Sequence, residues 1–185
     1  VELYKLAAEQ GLAQAQSSLG YMYQTGQGVE PDVKRAVELY KLAAEQGLSQ
    51  AQCNLGRMYA TGDGVEPDLK RALEFYTLAA KQGHPAAQYN LGNAYSEGRG
   101  VEPDKTLALD WMEKAAAQGF EKAKAAAQAF ARQLQAQKKT SISAAVGGGQ
   151  GQGQGHGGRR PPMSTNTQAV RITIPSESTG GDVLR

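Results

Sequence analysis

The sequence has one cysteine, two histidines and one tryptophan in 185 residues, and its formal net charge is only +2. Each scarcity removes a class of function. A lone thiol, Cys53, has no partner for an intramolecular disulfide and cannot build a multi-cysteine metal cage; it suits a reducing compartment such as the cytoplasm. His84 precedes a proline and His156 sits in a glycine tract, so neither has the fixed second group that general-base or metal chemistry needs. With no Ser/His/Asp or Cys/His set and no P-loop, the chain reads as non-enzymatic, without metal or cofactor. No apolar run reaches membrane-spanning length, so no membrane partner is expected. Residues 1–139 carry 16 Lys/Arg against 16 Asp/Glu, a balance that lacks the clustered basic face nucleic acid requires.

What the sequence does have is internal repetition. Three copies of G-x-G-V-E-P-D begin at Gly26, Gly62 and Gly98, a period of 36 residues. Aligned on that period, full repeats span 12–47, 48–83 and 84–119, and the first two are identical at 25 of 36 positions. Residues 1–11, VELYKLAAEQG, equal residues 37–47, so the chain is expected to open in the second helix of a repeat whose first half is missing.

Each repeat reads as two helices. The recurring Ala15, Gln16, Leu19, Gly20 and Tyr23 form one stripe at helical period, which predicts a first helix from Ala13 to about Gln24 with its packing face along that stripe. Gly20, Gly56 and Gly92 lie inside helices, where glycine costs about 1 kcal/mol relative to alanine, so their recurrence implies a close helix approach. The glycines after Thr25 end the first helix. Asp32, Asp68 and Asp104 then stand as N-caps of second helices, the first running from about Val33 to Gln46. Gln16, Gln52 and Gln88 are expected to hydrogen-bond across a helix contact, Tyr23, Tyr59 and Tyr95 to be core, and Trp111 to be packing. A degenerate last unit, with Ala127, Gln128 and Ala131 where Leu19, Gly20 and Tyr23 stood, predicts a capping helix from about Glu121 to Lys138 within residues 120–139.

The patterns A-x-x-L-G-x-x-Y, G-x-G-V-x-x-D and A-x-x-x-Y-x-x-A-A-x-x-G resemble the Sel1-like repeats, relatives of the tetratricopeptide repeats, over residues 1 to about 131. The resemblance implies an all-α fold, a right-handed α-α superhelix of helix-turn-helix units, and a scaffolding role in assemblies. Some cysteine-rich Sel1-like proteins have been linked to β-lactam binding or hydrolysis through repeats with bridging cysteine pairs. Cys53 alone does not reproduce that pattern, and the activity is not carried over.

Positions that differ between repeats mark where a partner would sit. On the first helix they are Ser17, Cys53 and Tyr89; Tyr21, Arg57 and Asn93; and Gln24, Ala60 and Ser96, at i, i+4 and i+7. Stacking turns them into a ladder, and in the resembling families that face is a concave groove. Asn54 and Asn90 are expected at its edge, with Gln14, Gln50 and Ala86 flanking it. Tyrosines offer apolar area with a hydroxyl tip and Arg57 can grip a carboxylate, which fits a protein or peptide segment with an acidic group. The reading is an adaptor; the alternative is a docking or regulatory arm of an enzyme encoded upstream.

From Thr140 to Arg185 the composition turns to Gly, Gln, Ser, Thr and Pro, and a disordered tail is expected. Within it Val170–Ile174 alternates like a strand that can join a partner's sheet edge, and Arg159-Arg160-Pro161-Pro162 is a short basic, proline-containing motif.

Overall fold

The structure, a computed structural model, describes residues 1–147. The expectations placed on residues 148–185, including the Val170–Ile174 strand and the Arg159–Pro162 motif, lie outside the described residues. The described chain holds helices and no strand: α1 (Glu2–Glu9), α2 (Ala13–Thr25), α3 (Val33–Glu45), α4 (Ser49–Thr61), α5 (Leu69–Lys81), α6 (Pro85–Glu97), α7 (Lys105–Ala117) and α8 (Glu121–Gly147). Each helix packs chiefly on the next in sequence, which is the contact pattern of a solenoid.

Local chemistry sets every boundary. At the end of α2, Gly26 has φ of 72°, and a Cβ there would come within 2.8 Å of Pro31. Both conditions demand glycine, and Gly62 and Gly98 repeat them against Pro67 and Pro103. The loop is closed by the Asp32 amide donating to the Tyr23 carbonyl at 2.9 Å, a bond repeated from Asp68 to Tyr59 and from Asp104 to Tyr95. The same aspartates then cap the second helices. Asp32 accepts from the Arg35 amide, Asp68 from those of Lys70 and Arg71, and Asp104 from those of Thr106 and Leu107.

Packing within a repeat depends on the missing side chain of the helical glycine. A Cβ on Gly20 would lie 3.2 Å from the Tyr40 ring; on Gly56 it would lie 2.8 Å from Tyr76, and on Gly92 2.9 Å from the Ala108 carbonyl oxygen. Tyr40, Ala36, Ala43, Ala51, Leu55 and Met58 are fully enclosed and form the center of a core continuous through the stack. Tyr23 and Tyr59 are buried, and Tyr95 and Trp111 pack at its margin.

Between repeats the recurrent glutamines do the joining. Gln16, Gln52 and Gln88 donate to the Ala8, Ala44 and Ala80 carbonyls of the preceding unit at 3.3, 3.2 and 3.2 Å. Each accepts in turn from the glutamine ending its own second helix, Gln46, Gln82 or Gln118, at 2.8, 2.7 and 2.8 Å. These buried amides are satisfied in both roles, which is what keeps them from destabilizing the seam.

The closing helix runs on past the expected end at Lys138 to Gly147. The stretch 140–146 contains no glycine or proline to stop it. Thr140 and Ser141 turn their hydroxyls back to the carbonyls of Ala136 and Gln137, at 2.9 Å each, so helix and hydroxyls are compatible. Residues 140–147, expected to begin the tail, are therefore helical.

Candidate functional site

Helices α2, α4 and α6 bring the variable positions to equivalent registers, but those positions do not share one environment. Tyr21 is 48% exposed and Arg57 is also exposed, whereas Gln24, Asn54, Tyr89, Asn90, Asn93 and Ser96 are half-buried. Ser17 and Cys53 are buried, at 4% and 6%. They follow Gln16 and Gln52, which reach back to the preceding repeat, and the seam encloses their small side chains. Burial pushes the Cys53 thiol up to about 11, against the opposing pull of Arg57, and leaves little thiolate for nucleophilic or metal chemistry near neutral pH. Tyr89, at the same register, packs its ring on Phe120 at 5.6 Å, just before α8.

Two recesses open along this side of the first helices. The larger, about 360 Å³, is bounded by Gln14, Ser17, Tyr21, Gln50 and Asn54, with Tyr4 at its edge. Across it Gln50 donates to Asn54 at 3.3 Å. The smaller, about 80 Å³, lies at the seam of the second and third full repeats and includes Ala60, Tyr76, Asn90, Asn93 and Arg99. Arg57 connects the surroundings of the two seams electrostatically. Burial pushes the phenols of Tyr40 and Tyr76 up to about 12, and the Arg57 guanidinium opposes the rise at both.

Gln24 is committed to the stack. Its amide donates to Asp63 at 2.9 Å and its oxygen accepts from the Tyr40 hydroxyl at 3.2 Å. Ser96 donates to the Asn93 carbonyl at 3.0 Å. By contrast, the side chains of Tyr21, Arg57, Asn90 and Asn93 make no hydrogen bond among the described residues. Their chemistry is that of donors and flat contact surfaces rather than of a nucleophile and base, and the described residues contain no cluster of His, Cys, Asp or Glu able to hold a metal.

Three contributors escaped the variable-stripe reading. Tyr76 and Arg99 come from the second helix and the loop, outside the helix on which the stripe was drawn. His84 is the third: its Nδ1 accepts the Ala87 amide at 3.3 Å, capping α6, while Nε2 lies 3.1 Å from the Gln50 oxygen. Burial lowers its pKa from the ordinary 6.5. The signal was present, since His84 replaces the Leu12 and Leu48 of the other repeats, which cap without a side-chain bond.

Comparison with known proteins agrees with this architecture. The Sel1 repeat family matches residues 1–12, 13–48, 49–84 and 85–120. A Sel1 repeat protein from Oxalobacter formigenes superimposes with a TM-score of 0.62 at 46% identity, over 68% of this chain and 94% of that one. The protein c5321, a protective antigen of uropathogenic Escherichia coli strains displaying an SLR fold, gives 0.63 at 46% identity, over 64% of this chain and 25% of that one. Cysteine rich protein B of Helicobacter pylori shares the fold at 24% identity, with a TM-score of 0.52 over 65% of this chain and 91% of that one. No curated protein matches the chain. A 36-residue frame matched in register by the family, with its loops, caps and seam glutamines in place, makes this chain a member of the Sel1 repeat family, whose proteins generally act as protein-interaction scaffolds.

Proposed function

We propose that the chain is an adaptor whose first-helix side, centered on Tyr21, Asn54, Arg57, Asn90 and Asn93, receives an extended or helical segment of a partner protein that carries an acidic group. The supporting observation is a division of labor within the repeat. Side chains that stay the same from unit to unit are buried or bonded inside the stack, as Gln16, Gln52 and Gln88 are. Tyr21, Arg57, Asn90 and Asn93 are at least partly accessible and carry no internal side-chain hydrogen bond, so their polar atoms meet water until a partner replaces it. Tyrosine, asparagine and arginine are suited to that exchange, because they combine contact area with directed donors. The role is binding, not turnover.

Affinity capture from a source lysate tests this, comparing the unaltered chain with Tyr21→Ala/Arg57→Ala/Tyr89→Ala/Asn93→Ala after circular dichroism has shown equal helicity. A protein captured by the first and lost with the second is the expected result. Identical captures from both would overturn the reading.

A further inference from the structure

The seam between the first and second full repeats is sealed by its own side chains. Gln24 fills the space under the Tyr40 hydroxyl and holds both that hydroxyl and Asp63, while Met58 fills the remainder with no exposure at all. One period later the same frame has lost its filling. Ala60 stands for Gln24, Ala94 for Met58, and Arg99 for Asp63. The result is the recess of about 80 Å³, room for about five waters.

What faces that space is of one kind. The Tyr76 hydroxyl has lost the acceptor that Gln24 gives Tyr40, and it has no protein partner among the described residues. The same residues include no fully buried side-chain polar atom without a partner, so this hydroxyl reaches the open space. Asn90 and Asn93 bring unbonded amides. Arg99 meets only Glu97, through Nε at 3.0 Å, in a pair exposed on both sides, which leaves its terminal nitrogens to point elsewhere. An exposed pair of this type adds little and is readily exchanged. Around an apolar floor of Leu69, Leu73 and Ala94, the seam thus gathers donors where its twin holds an acid, with Arg57 close enough to act on the same phenol.

We infer that this recess is a pocket for a carboxylate side chain, Asp or Glu, of the partner segment. The bound oxygens accept from the Tyr76 hydroxyl, an asparagine amide and the Arg99 guanidinium, and the side-chain methylenes rest on the apolar floor. The assignment rests on the binding reading above and adds to it a location and a chemical requirement.

The test uses an array of end-capped peptides of varied sequence with one fixed position set to Glu, Asp, Gln, Asn or phosphoserine. The full chain is compared with Arg99→Gln and with Ala60→Gln/Ala94→Met/Arg99→Asp, which copies the first seam and so uses a packing this chain already forms. Peptides with Glu or Asp should bind the unaltered chain about tenfold better than their Gln or Asn counterparts, the strength of a charge-assisted hydrogen bond. Both variants should lose that preference. A preference that survives in the filled variant, equal binding of Glu and Gln, or binding of phosphoserine without binding of Glu would each overturn the assignment.

A second measurement separates this pocket from the wider binding reading. Titration with N-acetylglutamate amide, against N-acetylglutamine amide, is followed by NMR at the side-chain amides of Asn90 and Asn93 and at Arg99 Nε. Shifts with the glutamate alone, absent in the filled variant, support the pocket even if no peptide is retained, and only the segment-binding reading then falls. No shift with the glutamate overturns the pocket.

Discussion

Two seams of this molecule share one frame and differ in what fills it. At both, a glutamine of the first helix reaches back to a carbonyl of the preceding unit, and a helical glycine lies against an aromatic ring. At the first, a methionine and a glutamine complete the packing; at the second, two alanines stand in those places and a recess opens. A repeat protein can therefore change its chemistry at one seam without renegotiating its architecture. The frame bonds are made by residues other than those that vary.

Hollowing the first seam should have the largest effect on that contrast. Met58 is fully enclosed, and Met58→Ala is expected to cost about 2–5 kcal/mol, read as a fall in the guanidinium midpoint at unchanged slope. An effect below about 1 kcal/mol would mean that the seam collapses to close the gap. Next comes the frame itself. Gln52→Leu strands the Ala44 carbonyl and the Gln82 amide together, and a loss of about 1–3 kcal/mol follows from leaving buried groups unpaired.

The glycines sharpen the comparison further. Gly56→Ala puts a Cβ 2.8 Å from the Tyr76 ring and 3.1 Å from the Ala72 carbonyl oxygen, whereas at Gly20 the same distances are 3.2 and 3.3 Å. Overpacking should outweigh the gain in helix propensity at Gly56, with a loss of about 1 kcal/mol, and the loss at Gly20 should be smaller. Equal midpoints for the two variants would count against this account.

The smallest effect concerns pH at the start of α6. His84 has its pKa lowered by burial, so the unfolded chain takes up a proton more readily than the folded one. Its contribution is complete above the ordinary value of 6.5 and is lost as pH falls through the lower folded value. Midpoints measured down that range should decline more steeply for the native chain than for His84→Leu, which carries the residue of the other repeats. Parallel profiles would remove His84 from the explanation.

How much of this was legible in the sequence depends on the kind of signal. The period, the glycine stops, the aspartate caps, the close approach at Gly20 and the bridging role of Gln16 followed from recurrence, because each meets a demand that returns every 36 residues. Accessibility did not follow from variation. Ser17 and Cys53 differ from one another because a small enclosed site accepts either, and so they vary without facing solvent. The 80 Å³ recess was written in the sequence as Ala60, Ala94 and Arg99, yet three positions far apart along the chain acquire a meaning only when α4, α5, α6 and the following loop meet. The length of α8 was missed for a local reason: hydroxyl side chains were read as breakers, though Thr140 and Ser141 bond within the helix.

The seam glutamines also govern how the molecule would bear a load. Each unit is stitched to its predecessor by its own pair of amides, so tension applied to the ends meets a series of similar fasteners rather than one shared core. Extension should proceed by shedding whole units, each paying out 36 residues, about 120 Å of contour, before the next fastener is tested.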